Sequence, residues 1–338
     1  MNPALTGFIF LLLIATAVSA CLMKDILSSV IALSVFGILL SIVFSILQAP
    51  DVALTQAVIN SGMITSIFLV AYSQTMKVRS GEDNTRVIKT YYPFRTDEMV
   101  ILFICIGLGF FLWKGIVPMG FSSLSGDAAN HYINFAGVET GASNIVAAVL
   151  FDYRGFDTLG EIAVIFTTVT GISILFEGSR YHRSSSGLSF IVRRSMAFVI
   201  PLIILYASSI VLMGHLSPGG GFQGGTVLAT ASICFCVVYG SSFEAARIHP
   251  WIKETLESTG CLFFAGLGLI GLCTGAGFLA NGAAGFPLGT QGTFISGGSI
   301  PLLNMAVGMK VGAGLSSLFY SMVKILEAPF EGIPGEVE

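Results

Sequence analysis

Residues 26–47 read ILSSVIALSVFGILLSIVFSIL. A run of this length without a charge suffices for a membrane crossing, because an α-helix needs about 20 residues to traverse about 30 Å of hydrocarbon. Apolar windows of the same kind recur at 3–22, 51–75, 98–116, 158–177, 195–214, 222–241, 258–280 and 301–325. The whole chain agrees: 54% of its 338 residues are hydrophobic and only 10% charged, and mean hydropathy is +0.85. Those values lie outside the range of water-soluble domains. The predicted fold is therefore all-α, a polytopic transmembrane helix bundle of about nine spans. The 40 glycines let helices approach closely, as in a bundle whose members touch protein more than lipid.

Charge narrows the partners. With a net charge of -3 the chain offers no basic field for nucleic acid, and no polybasic run reads lipid headgroups. The string Pro218-Gly219-Gly220-Gly221-Phe222-Gln223-Gly224-Gly225 is glycine-rich but lacks the Lys-Ser/Thr of a phosphate loop, so no nucleotide is expected. Cys21, Cys105, Cys234, Cys236, Cys261 and Cys273 lie in apolar stretches without metal-type spacing and read as small buried hydrophobes, with no metal. Pro3 to Ala20 lacks a basic leader, so a retained helix is expected.

Orientation follows from Lys and Arg, which short loops retain on the cytoplasmic side. Of the 16, 13 fall on one side of the nine-span arrangement, including Lys77, Arg79, Arg86, Arg180, Arg183, Arg193, Arg194 and Arg247. The N-terminus is then outside and the C-terminus cytoplasmic. The connections Gln48–Pro50, His215–Gly221 and Asn281–Ile300 face outward, carry no charge and are expected to be covered by protein. Two hydrophilic joints, Lys77–Thr96 and Arg180–Arg194, divide the chain into blocks of three, two and four spans, 1–96, 97–190 and 191–338. Between Pro118 and Asp157, Gly141–Tyr153 reads as a short amphipathic or half-buried helix on the outer surface. No internal repeat is visible, which weighs against a self-sufficient carrier.

The ion-handling candidates are few. Lys310 lies about 15 Å into the span beginning at Pro301, near the bilayer midplane, where an ionisable group needs a partner or water and often marks an ion path. Gly308, Gly312 and Gly314 would let a neighbouring helix bring that partner; a purely structural ion pair is the other reading. Asp157 and Glu161 open the fifth span, where an N-cap and a first-turn acid suit the helix dipole as well as they suit a cation. Asp51, after Pro50, has the same two readings. With Thr55, Gln56 and Asn60 it makes a polar stripe on the third span, which serves interhelical hydrogen bonds or a hydrated path. His215, at a span end, is a capping or interfacial residue or a proton relay.

The string from Gly219 to Gly225, with Gln223 within it, is followed by a span and then by IPLLNMAVGMKVGAG at 300–314, with Asn304 in its first turn. Together they resemble the B subunit of Mrp-type sodium/proton antiporters. PDVALTQAVINSG at 50–62 is similar to a segment near the C-terminus of the Mrp A subunit and to the D subunit of membrane-bound hydrogenases, and Asp152–Glu161 resembles the hydrogenase E subunit. The resemblance covers nearly the whole chain and implies a fusion of three small proteins, equivalent to the D, E and F subunits of membrane-bound hydrogenase. It implies a multi-pass subunit in a prokaryotic cytoplasmic membrane, assembled with other antiporter-type membrane subunits and, in redox-driven relatives, with a hydrogenase or other redox arm. Na+ or H+ would be the transported ion, with no cofactor in this chain and no catalysis of its own. Where that family commonly has Glu, this chain has Gln56, which cannot titrate. The alternative is a structural linker that holds antiporter-like subunits to a redox arm without touching ions.

Overall fold

The computed structural model describes residues 3–69, 72, 96–117, 126–175 and 189–326, and the hydrophilic joints lie largely outside them. Helices account for the architecture: α1 (Pro3–Leu22), α2 (Ile26–Ile46), α3 (Pro50–Leu69), α4 (Thr96–Ile116), α5 (Asp127–Thr140), α6 (Ile145–Tyr153), α7 (Gly155–Leu175), α8 (Phe190–Leu212), α9 (Gly221–Tyr239), α10 (Ser241–Arg247), α11 (Pro250–Cys273) and α12 (Ile300–Leu326). Among the described residues seven of these, α2, α3, α7, α8, α9, α11 and α12, are long and apolar enough to cross a membrane. With α1 and α4, every expected span has its helix.

Local chemistry explains the boundaries. Asp25 caps α2, its carboxylate accepting from the Ser28 amide at 3.0 Å and the Ser28 hydroxyl at 2.6 Å. Pro50 and Pro250 open their helices at the first turn, where the missing N–H costs nothing. The start at Pro250 corrects the expected span 258–280: eight more residues, Lys253 and Glu257 among them, are helical, because their charges find partners inside the bundle.

The bent pair α5–α6 turns through 82°. At about 1.5 Å per residue α6 is roughly 14 Å long, too short to cross. Asn144 at its start donates to Gly214 O at 2.9 Å, while Asp152 near its finish accepts from Asn281 Nδ2 at 3.0 Å. Gly214 and Asn281 follow α8 and α11 and lie at the same end of the bundle, so α6 enters and leaves at that end. It is half-buried, with Ala147, Ala148 and Phe151 buried and Ile145 and Val146 exposed.

α9 and α12 form the centre, α12 packing against α7, α8, α9 and α11. The main core joins Phe151, Ile162, Phe264, Leu303, Val307 and Val311. Glycines set the helix crossings. A Cβ on Gly225 would stand 2.9 Å from Val311 Cβ, and one on Gly260 would stand 2.7 Å from Ala306 O. The connection ends at Gly220, one residue before the expected boundary, and from Gly221 on the small residues of the string are helical and serve close packing. The cysteines divide: Cys236 is buried, but Cys21 and Cys273 lie on outward helix faces, contrary to the expectation that all are buried.

Candidate functional site

α12 carries Lys310 at its middle with no exposed surface. Its ammonium pairs with the carboxylate of Glu257 on α11, which is itself 5% exposed. The approach depends on Gly260, one turn beyond Glu257, since a side chain there would collide with the Ala306 carbonyl and crowd Lys310. Phe166 of α7 places its ring 4.8 Å from Lys310 Nζ, adding a cation–π contact. The pair thus lies between three helices.

A second pair follows. Lys253, one turn before Glu257 on α11, is buried and pairs with Glu244 of α10. The Ser232 hydroxyl of α9 donates to the same carboxylate oxygen of Glu244 at 2.6 Å, and the Tyr320 ring centroid lies 4.9 Å from Lys253 Nζ. The order Lys310–Glu257–Lys253–Glu244 alternates in sign, two full charges of each kind. Burying them costs several kcal/mol per ion before pairing, so the arrangement offers little net stability. Each inner member pairs with one opposite charge on a neighbouring helix and has the other inner member four residues away on α11.

Asn304, six residues before Lys310 and fully buried, accepts the Gly221 amide at 2.8 Å through Oδ1. This fixes the start of α9 against α12. The Asp51 carboxylate, buried in the first turn of α3, accepts the Gly219 amide. Gly219 and Gly220 have φ of 148° and 150°, a region that favours glycine. Gln223 is buried near Gly220, whose added Cβ would lie 3.0 Å from its Oε1. Gly224 packs on α8 and Gly225 on α12. Asp51 therefore holds backbone, at some remove from the Lys310 pair.

The other candidates scatter. Gln56 has a buried Nε2 without a hydrogen-bond partner. Asn60 lies in a π-helical stretch, Ala57–Ile64, packed against Gly37 of α2; such stretches are frequent at functional sites. Asp157 is not an N-cap: α7 begins at Gly155, and Asp157 pairs with Arg154, Nε to Oδ2 2.6 Å. Glu161 is exposed on α7, turned from Lys310. His215 is fully buried, its Nε2 3.2 Å from Phe294 O, and its carbonyl accepts the amides of Ser143 and Asn144 at 2.9 and 3.0 Å. Burial holds its imidazole below the usual pKa, so it is neutral and joins the covering loops.

Sequence reasoning alone does not single out Glu257, Lys253, Glu244 or Ser232. Lys253 falls among the loop cations of the orientation argument, and Glu257 stands just outside the apolar window that begins at 258. A usable signal exists: Lys253 and Glu257 are four apart, with Gly260 beside them as glycines stand beside Lys310.

Comparison with known proteins follows this layout. Residues 191–317 match the domain related to the MnhB subunit of Na+/H+ antiporter, residues 11–77 match the MBH D subunit, and residues 95–191 match the MBH E subunit. An uncharacterized protein of Methanocaldococcus jannaschii is 36% identical over 198 residues, 52% of this chain and 74% of that protein. The probable K+/H+ antiporter A/B subunit of Rhizobium meliloti is 26% identical across 70% of this chain, and the Na+/H+ antiporter A subunit of Bacillus subtilis 29% identical across 52%. The chain spans 27% and 21% of the length of these two antiporter subunits.

Among solved structures, the Mrp complex of Dietzia sp. DQ12-45-1b superposes with a TM-score of 0.72 over 96% of this chain and 35% of that one, at 19% identity, a likeness of fold. A chain of the membrane-bound sulfane sulfur reductase, an archaeal respiratory membrane complex, superposes with a TM-score of 0.58 over 68% of this chain and 99% of its own, at 31% identity. The chain belongs to the Mrp-type family of antiporter-related membrane subunits, as a fusion of segments related to MbhD, MbhE and MnhB.

Proposed function

We propose that this chain is a membrane subunit of a multi-subunit cation/proton-translocating complex and forms part of the path for Na+ or H+. The observation that carries the reading is the Lys310–Glu257 pair, buried where α11 and α12 cross and continued by Lys253–Glu244. Ionisable groups inside membrane spans are costly and usually functional; Lys310 and Glu257 lie in the spans α12 and α11, and the Lys253–Glu244 pair continues from them to α10. The antiporter subunits and respiratory complexes to which the chain is similar support the same reading. The partners are other antiporter-type membrane subunits, with a redox arm in a respiratory version, and the site is a prokaryotic cytoplasmic membrane with the Arg193, Arg194 and Arg247 side inward.

The test uses everted vesicles from an antiporter-deficient host carrying the complete set of complex genes, with and without this chain. Sodium chloride or potassium chloride should collapse an imposed pH gradient only when the chain is present. An equal response without it would contradict the proposal.

A linker role is the second reading, favoured by the way Asn144 and Asp51 tie segments together: Asn144 Nδ2 bonds Gly214 O and Ser217 O at 2.9 and 3.1 Å, and Asp51 holds Gly219. It requires transport to survive removal of the buried charges.

A further inference from the structure

Met309, Gly312, Ala313 and Ser316 lie on one face of α12 and line an open-sided furrow of about 310 Å³, with Phe235 of α9 and Leu256 of α11 on its walls. A second hollow, of about 210 Å³, continues it between α8 and α12, and the two share Leu228 and Met309. From Met305 to Ser316 the furrow follows α12 for about 16 Å. The polar side chains along it are engaged within the protein. Ser232 Oγ and Lys253 Nζ both donate to Glu244, Ser316 Oγ donates to Ala313 O at 2.9 Å, and Ser208 Oγ to Ile204 O at 2.8 Å. What faces the furrow is hydrocarbon, among which water finds no partners. Since α8, α9, α11 and α12 are all long enough to span, the furrow opens onto lipid or another membrane chain. Spread along its length, these volumes admit a hydrocarbon chain but not a helix, which is about 10–12 Å across with its side chains.

One end of the furrow is marked by charge. The Phe235 ring lies 5.9 Å from that of Tyr239, Tyr239 stacks on Phe243 at 4.8 Å, and the Arg247 guanidinium stands 5.7 Å from the Phe243 centroid. Ile248, next to Arg247, lines the furrow itself. The Tyr239 hydroxyl donates to Arg193 O at 2.6 Å, which ties the start of α8 to the same aromatic row. Arg193, Arg194 and Arg247 come from separate segments, so the fold rather than any run in the sequence gathers them. Among the described residues none of the three has a carboxylate partner. The acids at this end are Glu244, held by Lys253, and Glu254, exposed on α11. Arg193 is half-buried, and its Nε is out of contact with water and has no hydrogen-bond partner. A guanidinium in that position lacks the acceptor its donors require, and a phosphate supplies one in bidentate form.

We propose that this end of the bundle binds one anionic phospholipid, an acyl chain lying in the furrow along α12 and the headgroup phosphate held by Arg193 and Arg247. Basic pockets between spans suit such headgroups, and aromatic rings beside them suit the membrane interface. Arg194, exposed one residue further, adds positive charge at the same mouth. The site requires nothing of the transport reading.

The experiment uses the full complex in vesicles containing a small, equal amount of one of two probes. These are phosphatidylglycerol carrying a diazirine midway along one acyl chain, and phosphatidylcholine with the same chains. After irradiation, mass spectrometry of peptides locates the lipid adducts. The expected result is labelling of α11 and α12 at furrow residues such as Leu256 and Met309, at least five-fold stronger with phosphatidylglycerol. In an assembled Arg193→Gln/Arg247→Gln variant that labelling should fall at least five-fold, while labelling by phosphatidylcholine stays as it was. Should the variant fail to assemble, the ratio of the two probes in the parent complex decides. Furrow residues free of adducts would overturn the proposal and show that a neighbouring subunit covers them. Equal labelling by the two probes, or labelling that survives loss of both arginines, would overturn it as well, leaving hydrocarbon contact without headgroup recognition. None of these outcomes reads transport, so failure here leaves the ion-path reading where it stands.

Discussion

Lys253 and Glu257 stand one turn apart on α11, both buried, and each is held by a different helix: Lys253 by Glu244 of α10, Glu257 by Lys310 of α12. α11 therefore carries the inner two charges of a four-membered alternating row. Removing one member leaves an uncompensated buried charge, at a cost of about 3–5 kcal/mol, whereas removing a whole pair is often neutral.

Stability should follow that asymmetry. Glu257→Gln alone and Lys310→Met alone should each lower the apparent melting temperature of the purified complex, and the double variant should regain most of the loss. Equal and additive losses in the double variant would show that the two side chains do not interact.

Gly260 should be intolerant for a reason unrelated to its own flexibility. A methyl there would meet the Ala306 carbonyl at 2.7 Å and Lys310 Cβ at 3.2 Å, so Gly260→Ala should destabilise by about 1–3 kcal/mol through overpacking. Gly266, on the same helix, has nothing within 4 Å of an added Cβ. Gly266→Ala should be neutral or stabilising by up to about 1 kcal/mol from helix propensity. Thermal unfolding of the two variants in detergent checks the pair.

Much of the fold is legible in the sequence because apolar length reports membrane spans directly; the helix at Ile26–Ile46 lies where the window 26–47 places it. The irregular region is not legible. The sharp bend between α5 and α6 arises at Gly141, with φ of 74°, and from long-range bonds of Asn144 and Asn281 that no local pattern announces. For the site, Lys310 stands out by depth alone. Glu257 does not, because the hydropathy boundary falls at 258 and pairing with Lys310 joins residues 53 positions apart. Asp51 and Glu161 look equivalent to Lys310 in kind, yet one binds a backbone amide and the other faces outward.

His215 should make stability depend on pH. Burial lowers its pKa from 6.5, so below about pH 6.5 the unfolded chain binds a proton that the folded chain resists. The contribution is fully present above the unfolded value and is lost as pH falls toward the folded one. The apparent melting temperature should therefore decline from pH 7 to pH 5, and His215→Asn should flatten that decline. An identical slope in the variant would exclude His215 as its source.

Orientation can be read by labelling. In a background without native cysteines, Ser184→Cys should react only from the cytoplasmic side and Thr290→Cys, exposed on the loop after α11, only from the outside. The reverse pattern would invert the topology.

The most direct measurement is the sodium-dependent collapse of a pH gradient in vesicles bearing the complex with Lys310→Met/Glu257→Gln. Both charges are gone, volume is nearly kept, and no member of this pair is left buried alone, so assembly should persist. A charge-passing role predicts an assembled complex with transport reduced at least ten-fold, or about 1.4 kcal/mol or more on the barrier. An assembled complex that transports at the parental rate would contradict it and leave the chain as a linker.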